Sequence, residues 1–459
     1  MKTLIKHGLL VLMEGCTRAD MLIDGEKIAM IGQDLKEPQA EIYDAEGCMV
    51  FPGFIDAHTH LDMPLGAIHT ADTFKSGSHA ALMGGTTTIL DFATQNKRGT
   101  LQGALNKWQN LAAKKAYCDY GFHMAVTNWS EATAEEMPGL AAQGVTSFKV
   151  YMAYENLRVG DAAIYDICRH LRLLGGLLML HCENGDLVDR LARDLAAEGR
   201  LSADVHALSR PPFVEEEAVV RALAIAEAAD AVPYIVHLSS LRALEAAFAA
   251  RRRGQKLWLE TCPQYLFLDE TRYMTDFAEA AKYVCSPPLR SARDAAALWQ
   301  AVIGGDIDVV ATDHCSFNLR GQKDLGQDDF RLIPNGLPGV EHRPLLLYSQ
   351  GVAQGLLAPE RLAALAAENP ARIFGLYPRK GVLREGSDAD LAIIEPDSPY
   401  PICAEKQWQN VDYTPYEGFE LSARVRSVWL RGNLLVEGGR LLSEKPCGQF
   451  LARGPSAGV

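Results

Sequence analysis

The sequence carries ten cysteines but no Cys-x-x-Cys pair. In a chain of 459 residues, thiols scattered in this way build no disulfide framework, and a reducing, cytoplasmic setting is the simple expectation. The chain also lacks an excess of positive charge. A formal net charge of -13 argues against a nucleic-acid partner and against attraction to an anionic membrane surface. No stretch reaches the ~18 consecutive apolar residues of a membrane span. The opening MKTLIKHGLLVLMEG has too short an apolar run, and no small-residue cleavage signature, for a signal peptide, so an edge strand is expected there. No internal repeat or low-complexity tract is present. What is there, 48% hydrophobic residues, suffices for a large core. Such a chain suits a soluble protein whose ligand is small and neutral or mildly polar.

From about residue 48 to 375 short β-rich runs alternate with amphipathic helical runs. The strands read CMVFPGFIDAHTH, TTTILDFAT, YGFHMAVT, SFKVYMA, GLLMLHCE, PYIVHLSS, LWLETCPQYL and DVVATDH. Helical runs lie between them, several with acidic first turns and several ending at a glycine suited to a C-terminal cap. Eight strands alternating with helices predict a closed (β/α)8 TIM barrel. The alternative is an open doubly wound sheet, but no Gly-rich phosphate loop follows the first strand, which disfavours a nucleotide-binding version. The two ends differ from the middle and resemble each other: TLIKHGLLVL and ADMLIDGEKIAMIG at one, GVLREGSDADLAIIEP and ARVRSVWLRGNLLVEGGRLL at the other. Both read as antiparallel β. Neither end suffices for a full sheet domain, so they are expected to pack together as one small β-sandwich. The expected organisation is residues 1–50 and 376–445 as the two parts of the sandwich, 51–375 as the barrel and 446–459 as a loose tail.

Candidate metal ligands stand at successive strand ends: His58, His60, Lys149, His181, His237 and Asp313. The ends of strands far apart in sequence meet at one rim of a barrel, where the active sites of this architecture sit. His58 and His60 are two apart on a strand and so share a face. A lone histidine such as His181 or His237 is ordinarily a hydrogen-bonded core residue; two at a rim that already holds His58 and His60 favour ligation. Asp313 ends the eighth strand, where a buried carboxylate needs a metal or a strong donor. Lys149 is the informative member. A bare ammonium at this rim repels a bound cation by ~4 kcal/mol per unit charge at ~4 Å and an effective dielectric of 20. Pairing with an acidic neighbour, or snorkelling to solvent, is the plainer account. The alternative is carboxylation by carbon dioxide, which turns the amine into an anion whose two oxygens bridge two metals. Two zinc ions, with other divalent metals as alternatives, a carboxylated lysine, four histidines and one aspartate suit a bridging hydroxide. Asp313 would take its proton and pass it to a leaving nitrogen.

The stretches FPGFIDAHTHLDMP, GGTTTILDFA, SFKVYMAY, HCENGD, IVHLSS, ETCPQYL, CSPPLR, ATDHCSF and NGLPGVEHR occur in this order. In them the chain resembles the cyclic amidohydrolases, and within those the dihydropyrimidinase/hydantoinase family, over nearly its whole length. The resemblance implies a barrel with a split β-sandwich and the opening of a dihydropyrimidine or 5-substituted hydantoin to an N-carbamoyl amino acid. It implies that His58, His60 and Asp313 hold one zinc, that His181 and His237 hold the other, and that carboxylated Lys149 bridges them. Tyr154 matches a tyrosine that bonds the developing oxyanion, though a phenol there is equally consistent with packing. Ser286 and Asn335 match positions whose backbone grips the ring amide; plain turn chemistry is their other reading. The loops LDMPLGAIHTAD and ENLRVGD shape the pocket for the substituent, and Leu65, Met152 and Leu157 are expected to make it apolar. Homodimers or homotetramers are implied, without the longer tail that some relatives use for assembly.

Three alternatives remain at this point. Allantoinase and dihydroorotase relatives share the chemistry, but their polar or acidic substrates call for a cationic pocket residue, and none is assigned. A single-metal nucleobase deaminase would use Glu183, near His181, as its acid/base, and leaves Lys149 without a role. Non-catalytic adaptor homologues have lost the metal ligands that this chain retains.

Overall fold

The computed structural model describes residues 2–456. Eight strands form one parallel sheet: β1 (Phe54–Thr59), β2 (Thr86–Thr94), β3 (Asp119–Ala125), β4 (Ser147–Tyr151), β5 (Leu177–His181), β6 (Pro233–Ile235), β7 (Trp258–Thr261) and β8 (Val309–Val310), neighbours in that order. The ring closes where Thr59 pairs in parallel with His314 and the His60 N–H donates to the His314 carbonyl at 2.8 Å. The architecture is therefore a (β/α)8 barrel. Strand periodicity explains its lining: Leu177, Met179 and His181 alternate onto one face of β5, as do Val309, Ala311 and Asp313 past β8. Leu90, Phe92, Leu177, Met179, Tyr234 and Val309 join one buried cluster beneath the rim.

The helices start where the sequence supplies caps. Thr73 and Ser291 form reciprocal capping boxes, and Thr100, Ser130, Asn184 and Ser240 each accept a backbone N–H of the first turn. Helix Asp161–Leu174 stops at Gly175, whose φ of 63° suits a left-handed cap. Helix Gly185–Ala197 follows β5. Its Asn184 cap and the Val188 and Leu195 spacing are the local signal. The run LWLETCPQYL is a strand only to Thr261, because Pro263 opens a short helix, Pro263–Phe267.

The chain ends build the β-rich domain. A seven-stranded sheet interleaves them, with Leu391–Glu395 lying between Arg424–Leu430 and Met49–Pro52. A four-stranded sheet comes from the first 44 residues alone. Ile5, Leu10, Met21, Ile23, Val50, Leu391, Ile393 and Trp429 share one core. The pairing is not wholly antiparallel: Lys2–Lys6 runs parallel to Glu41–Asp44, and Leu9–Leu12 to Met49–Pro52. Lys380 pins this domain to the barrel, donating to Asp119 at 2.7 Å and to Asp390 at 2.6 Å, all of them buried.

The reading of 446–459 as a loose tail is corrected over 446–456; residues 457–459 lie outside the described residues. The segment runs across the end of the barrel opposite the rim that carries His58 and Asp313. Tyr120 N–H donates to Gln449, Leu451 N–H to Tyr120 and Ser456 N–H to Gly175, at 2.9, 2.7 and 2.9 Å. Leu451 is fully buried in the interior cluster with Phe92 and Phe374. Apolar burial and backbone pairing both hold it, despite its glycine and proline content.

Candidate active site

The six side chains named from the sequence converge. His58 lies on β1, His60 just beyond it, Lys149 on β4, His181 at the end of β5, and His237 and Asp313 just past β6 and β8. Asp313 Oδ1 sits 3.0 Å from His58 Nε2 and 3.1 Å from His60 Nε2. Lys149 Nζ is 3.0 Å from His58 Nε2, and His181 Nδ1 is 2.9 Å from His237 Nε2. The ligand atoms of His58, His60 and Asp313 all lie within 4.8 Å of one another.

The outward nitrogens decide what the inward ones offer. His58 Nδ1 meets Glu260 Oε1 at 2.7 Å, and His181 Nε2 meets Glu183 Oε2 at 2.9 Å. A ring that donates its outer N–H to a carboxylate presents a bare lone pair inward, the state that ligates a metal. The bare Nε2 of His58 then faces the Asp313 carboxylate with no hydrogen atom between them, which suits a divalent ion there. His60 Nδ1 and His237 Nδ1 are buried with no hydrogen-bond partner among the described residues. Burial alone would raise the Asp313 carboxyl, but His58, His60 and His237 hold it well below the usual carboxylate range.

Lys149 is 1% exposed, so it does not snorkel. Its Nζ lies 4.2 Å from the centre of the Phe92 ring, and among the described residues it makes no ion pair. Burial pulls its ammonium down to about 8 against the opposing influence of Asp313 and Glu260.

Tyr154 lies past β4 with φ of 66°, and His237 and Asp313 are likewise left-handed at 40° and 51°. Such backbone is costly for residues other than glycine and gathers at functional sites. Burial raises the Tyr154 phenol, with Ser286 and Asn335 beside it acting in the opposite sense. Ser286 Oγ is buried without a partner among the described residues.

A cavity of about 800 Å³ opens beside Tyr151, lined by Met63, Leu65, Trp108 and Leu157 among others. Met152 is not part of it, contrary to expectation. It sits on the strand face opposite Lys149 and Tyr151 and packs into the main core. A second cleft of about 570 Å³ beside Tyr154 carries Arg158, Arg193, Arg210 and Arg331, cations that the sequence reading did not assign. Three of them already have carboxylate partners in Asp186, Glu183 and Asp329.

Two supporting carboxylates were missed. Glu260 orients His58 and also accepts from the Tyr234 hydroxyl at 2.7 Å and the His237 N–H at 3.1 Å. Asp91 accepts from Thr59 Oγ1 and Leu61 N–H, both at 2.8 Å, and so fixes the chain on either side of His60. The available signal was an acidic residue inside an otherwise apolar strand, the cue that singled out Lys149.

Residues 49–435 match the model of the amidohydrolase family. The D-hydantoinase of Geobacillus stearothermophilus is 42% identical over 455 residues, covering 99% of this chain and 97% of that protein. The structure of a dihydropyrimidinase from Brevibacillus agri NCHU1002 superposes with a TM-score of 0.98 at 41% identity, covering 100% of both chains. A D-hydantoinase (dihydropyrimidinase) from a Thermus species gives 0.96 at 40% identity, covering 99% of each.

Proposed function

We propose, from the premise that this chain belongs to the amidohydrolase family and, within it, to the hydantoinase and dihydropyrimidinase group, that it hydrolyses a cyclic amide at a two-metal centre. The substrate class is a dihydropyrimidine or 5-substituted hydantoin, and the product is an N-carbamoyl amino acid. The observation that carries the reading is the convergence of His58, His60, His181, His237 and Asp313 around the Lys149 amine.

His58, His60 and Asp313 would hold one ion and His181 and His237 the other, with Lys149, carboxylated by carbon dioxide, between them. Zinc fits this imidazole and carboxylate set. When bound, the ions lower the pKa of the attacking water and polarise the scissile carbonyl. Asp313 accepts the water proton and returns it to the leaving ring nitrogen. The Tyr154 hydroxyl donates to the oxyanion as the carbonyl carbon becomes tetrahedral. Backbone groups of Ser286 and Asn335 hold the ring amide. Burial of Lys149 without a carboxylate partner among the described residues supports carboxylation, because the anion replaces an uncompensated cation by a ligand.

Tyr154→Phe removes the oxyanion donor and leaves the ring. We expect kcat to fall by ~10²-fold or more, with metal content unchanged. Steady-state kinetics with metal analysis check this, and an unchanged kcat reduces Tyr154 to packing.

Substrate choice is the test of the function itself. The cavity beside Leu65 and Leu157 suits an apolar 5-substituent, and the nearby arginines are largely paired. Metal-loaded protein is expected to open dihydrouracil and 5-substituted hydantoins faster than allantoin or dihydroorotate. The reverse order in a substrate panel would move the chain to those relatives. A single-metal deaminase reading is disfavoured by Glu183. Burial pushes its carboxyl up, but Arg210, at 2.6 Å, and His181 outweigh burial and bring it down to about 2. A carboxylate so committed is a poor proton carrier. Ten free cysteines support a reducing compartment such as the cytoplasm. Assembly as a homodimer or homotetramer is part of the same proposal, by kinship alone.

A further inference from the structure

Lys323 stands outside the chemistry described above, yet it is fully buried. It opens a short turn, Lys323–Gly326, in the long loop after β8. Its ammonium donates to the Val284 carbonyl at 2.8 Å and to the Pro334 carbonyl at 3.0 Å. Among the described residues these bonds go to two carbonyls and to no carboxylate. The titratable groups that act on it are the thiols of Cys285 and Cys315, and burial brings it down to about 7. A cation taken out of water with only neutral partners is costly, so a merely space-filling role is better served by an apolar side chain.

The two carbonyls explain the placement. Val284 lies two residues before Ser286, and Pro334 immediately precedes Asn335. One side chain thus bonds both loops that present the ring-gripping residues. The Ser286 loop is pinned at each flank: Val284 accepts from Lys323, Cys285 from His206 Nε2 at 2.7 Å and Pro287 from the Tyr265 hydroxyl at 2.7 Å. Among the described residues the Ser286 carbonyl itself takes no hydrogen bond, nor does the Asn335 N–H give one. The neighbours are fixed and these two groups are left for a ligand. His206 and Tyr265 each reach only the Ser286 side; Lys323 joins it to the Asn335 side.

We propose that Lys323 is a positioning residue that sets the separation of the Ser286 and Asn335 loops and thereby the grip on the ring amide. The inference rests on the cyclic-amide reading above and adds to it a residue that touches neither metal nor substrate. Both the ammonium and the neutral amine carry enough N–H groups for two carbonyls, so the clamp holds in either state.

Lys323→Met keeps the apolar stem and removes both donors. The Gly336 N–H still bonds the Val284 carbonyl at 3.1 Å, so the two loops stay linked. The expected result is a full complement of metal, a KM raised ~10-fold or more, and kcat within ~3-fold of the parent. Dihydrouracil and a 5-substituted hydantoin should suffer equally, because the ring amide is common to both. Leu157→Ala, in the substituent cavity, should instead weaken opening of the substituted hydantoin more than that of dihydrouracil. Lys323→Gln, which retains N–H donors on a shorter arm, should raise KM less than Lys323→Met. An unchanged KM in Lys323→Met overturns the proposal. So does loss of metal or of cooperative thermal unfolding in Lys323→Met together with an unchanged KM in Lys323→Gln, since the role is then structural. A parent protein that opens no cyclic amide refutes the function reading first and removes the positioning role with it; an active parent with an unaffected Lys323→Met variant refutes the positioning role alone.

Discussion

Lys149→Ala is expected to abolish ring opening and to lower bound metal from two ions per chain to one or none. The side chain is buried against Phe92, and its amine lies within 3.0 Å of His58 Nε2. As a free ammonium it would oppose any ion held by His58, His60 and Asp313. As the carboxylated amine proposed above it would supply negative charge to both halves of the centre. Under the proposed mechanism its removal would take away the bridging ligand and part of the Lewis acidity, which contributes several kcal/mol to such reactions. A kcat lower by ~10³-fold or more follows from that loss. The measurements are elemental analysis and turnover on the same preparation, with intact mass of the parent protein under native conditions for the added carbon dioxide. Reconstitution of metal-free protein should proceed faster with bicarbonate present than without it. A Lys149→Ala protein with normal metal and normal turnover would remove the bridge from the mechanism. An unmodified Lys149 in an active, metal-loaded parent would remove carboxylation alone.

Most of this site was legible because its signals are local and the architecture is regular. A histidine or aspartate after an apolar strand run marks a rim position, and a closed barrel brings all such positions together. That logic named five of the six residues that meet; the sixth, Lys149, was marked by its charge inside an apolar strand. It failed where the information is not local. Glu260 and Asp91 sit inside apolar strands, as Lys149 does, but their meaning lies in what they bond across the barrel, His58 for one and the chain flanking His60 for the other. Met152 was misplaced by reading a loop composition without strand parity: Lys149 and Tyr151 share a face, so the next residue turns away. The left-handed backbone at Tyr154, His237 and Asp313 has no sequence cue, since none is a glycine. Docking of 448–456 beneath the barrel depends on a groove made by Tyr120, Gly144 and Gly175, which come from three separate loops and strands. Composition, rich in glycine and proline, pointed the other way.

Asp313→Asn is the variant that separates proton transfer from metal retention. Asp313 has φ of 51°, a region that asparagine adopts readily and alanine does not. The asparagine therefore keeps the backbone and the shape of the side chain, and its amide oxygen still faces His58 and His60. What it lacks is the negative charge and the capacity to carry a proton at working pH. Most of the metal should remain, because four histidines and the Lys149 position are untouched. Turnover should fall by ~10³-fold, within the range that a positioned acid/base group contributes. The contrast with Lys149→Ala is the informative part: one variant loses metal and rate together, the other mainly rate. Elemental analysis beside single-turnover measurements distinguishes them. A kcat within tenfold of the parent, at full metal content, would take the proton-carrying role from Asp313 and leave it as a ligand only. Loss of metal in proportion to loss of rate would lead to the same conclusion from the other side, because ligation would then account for the whole effect.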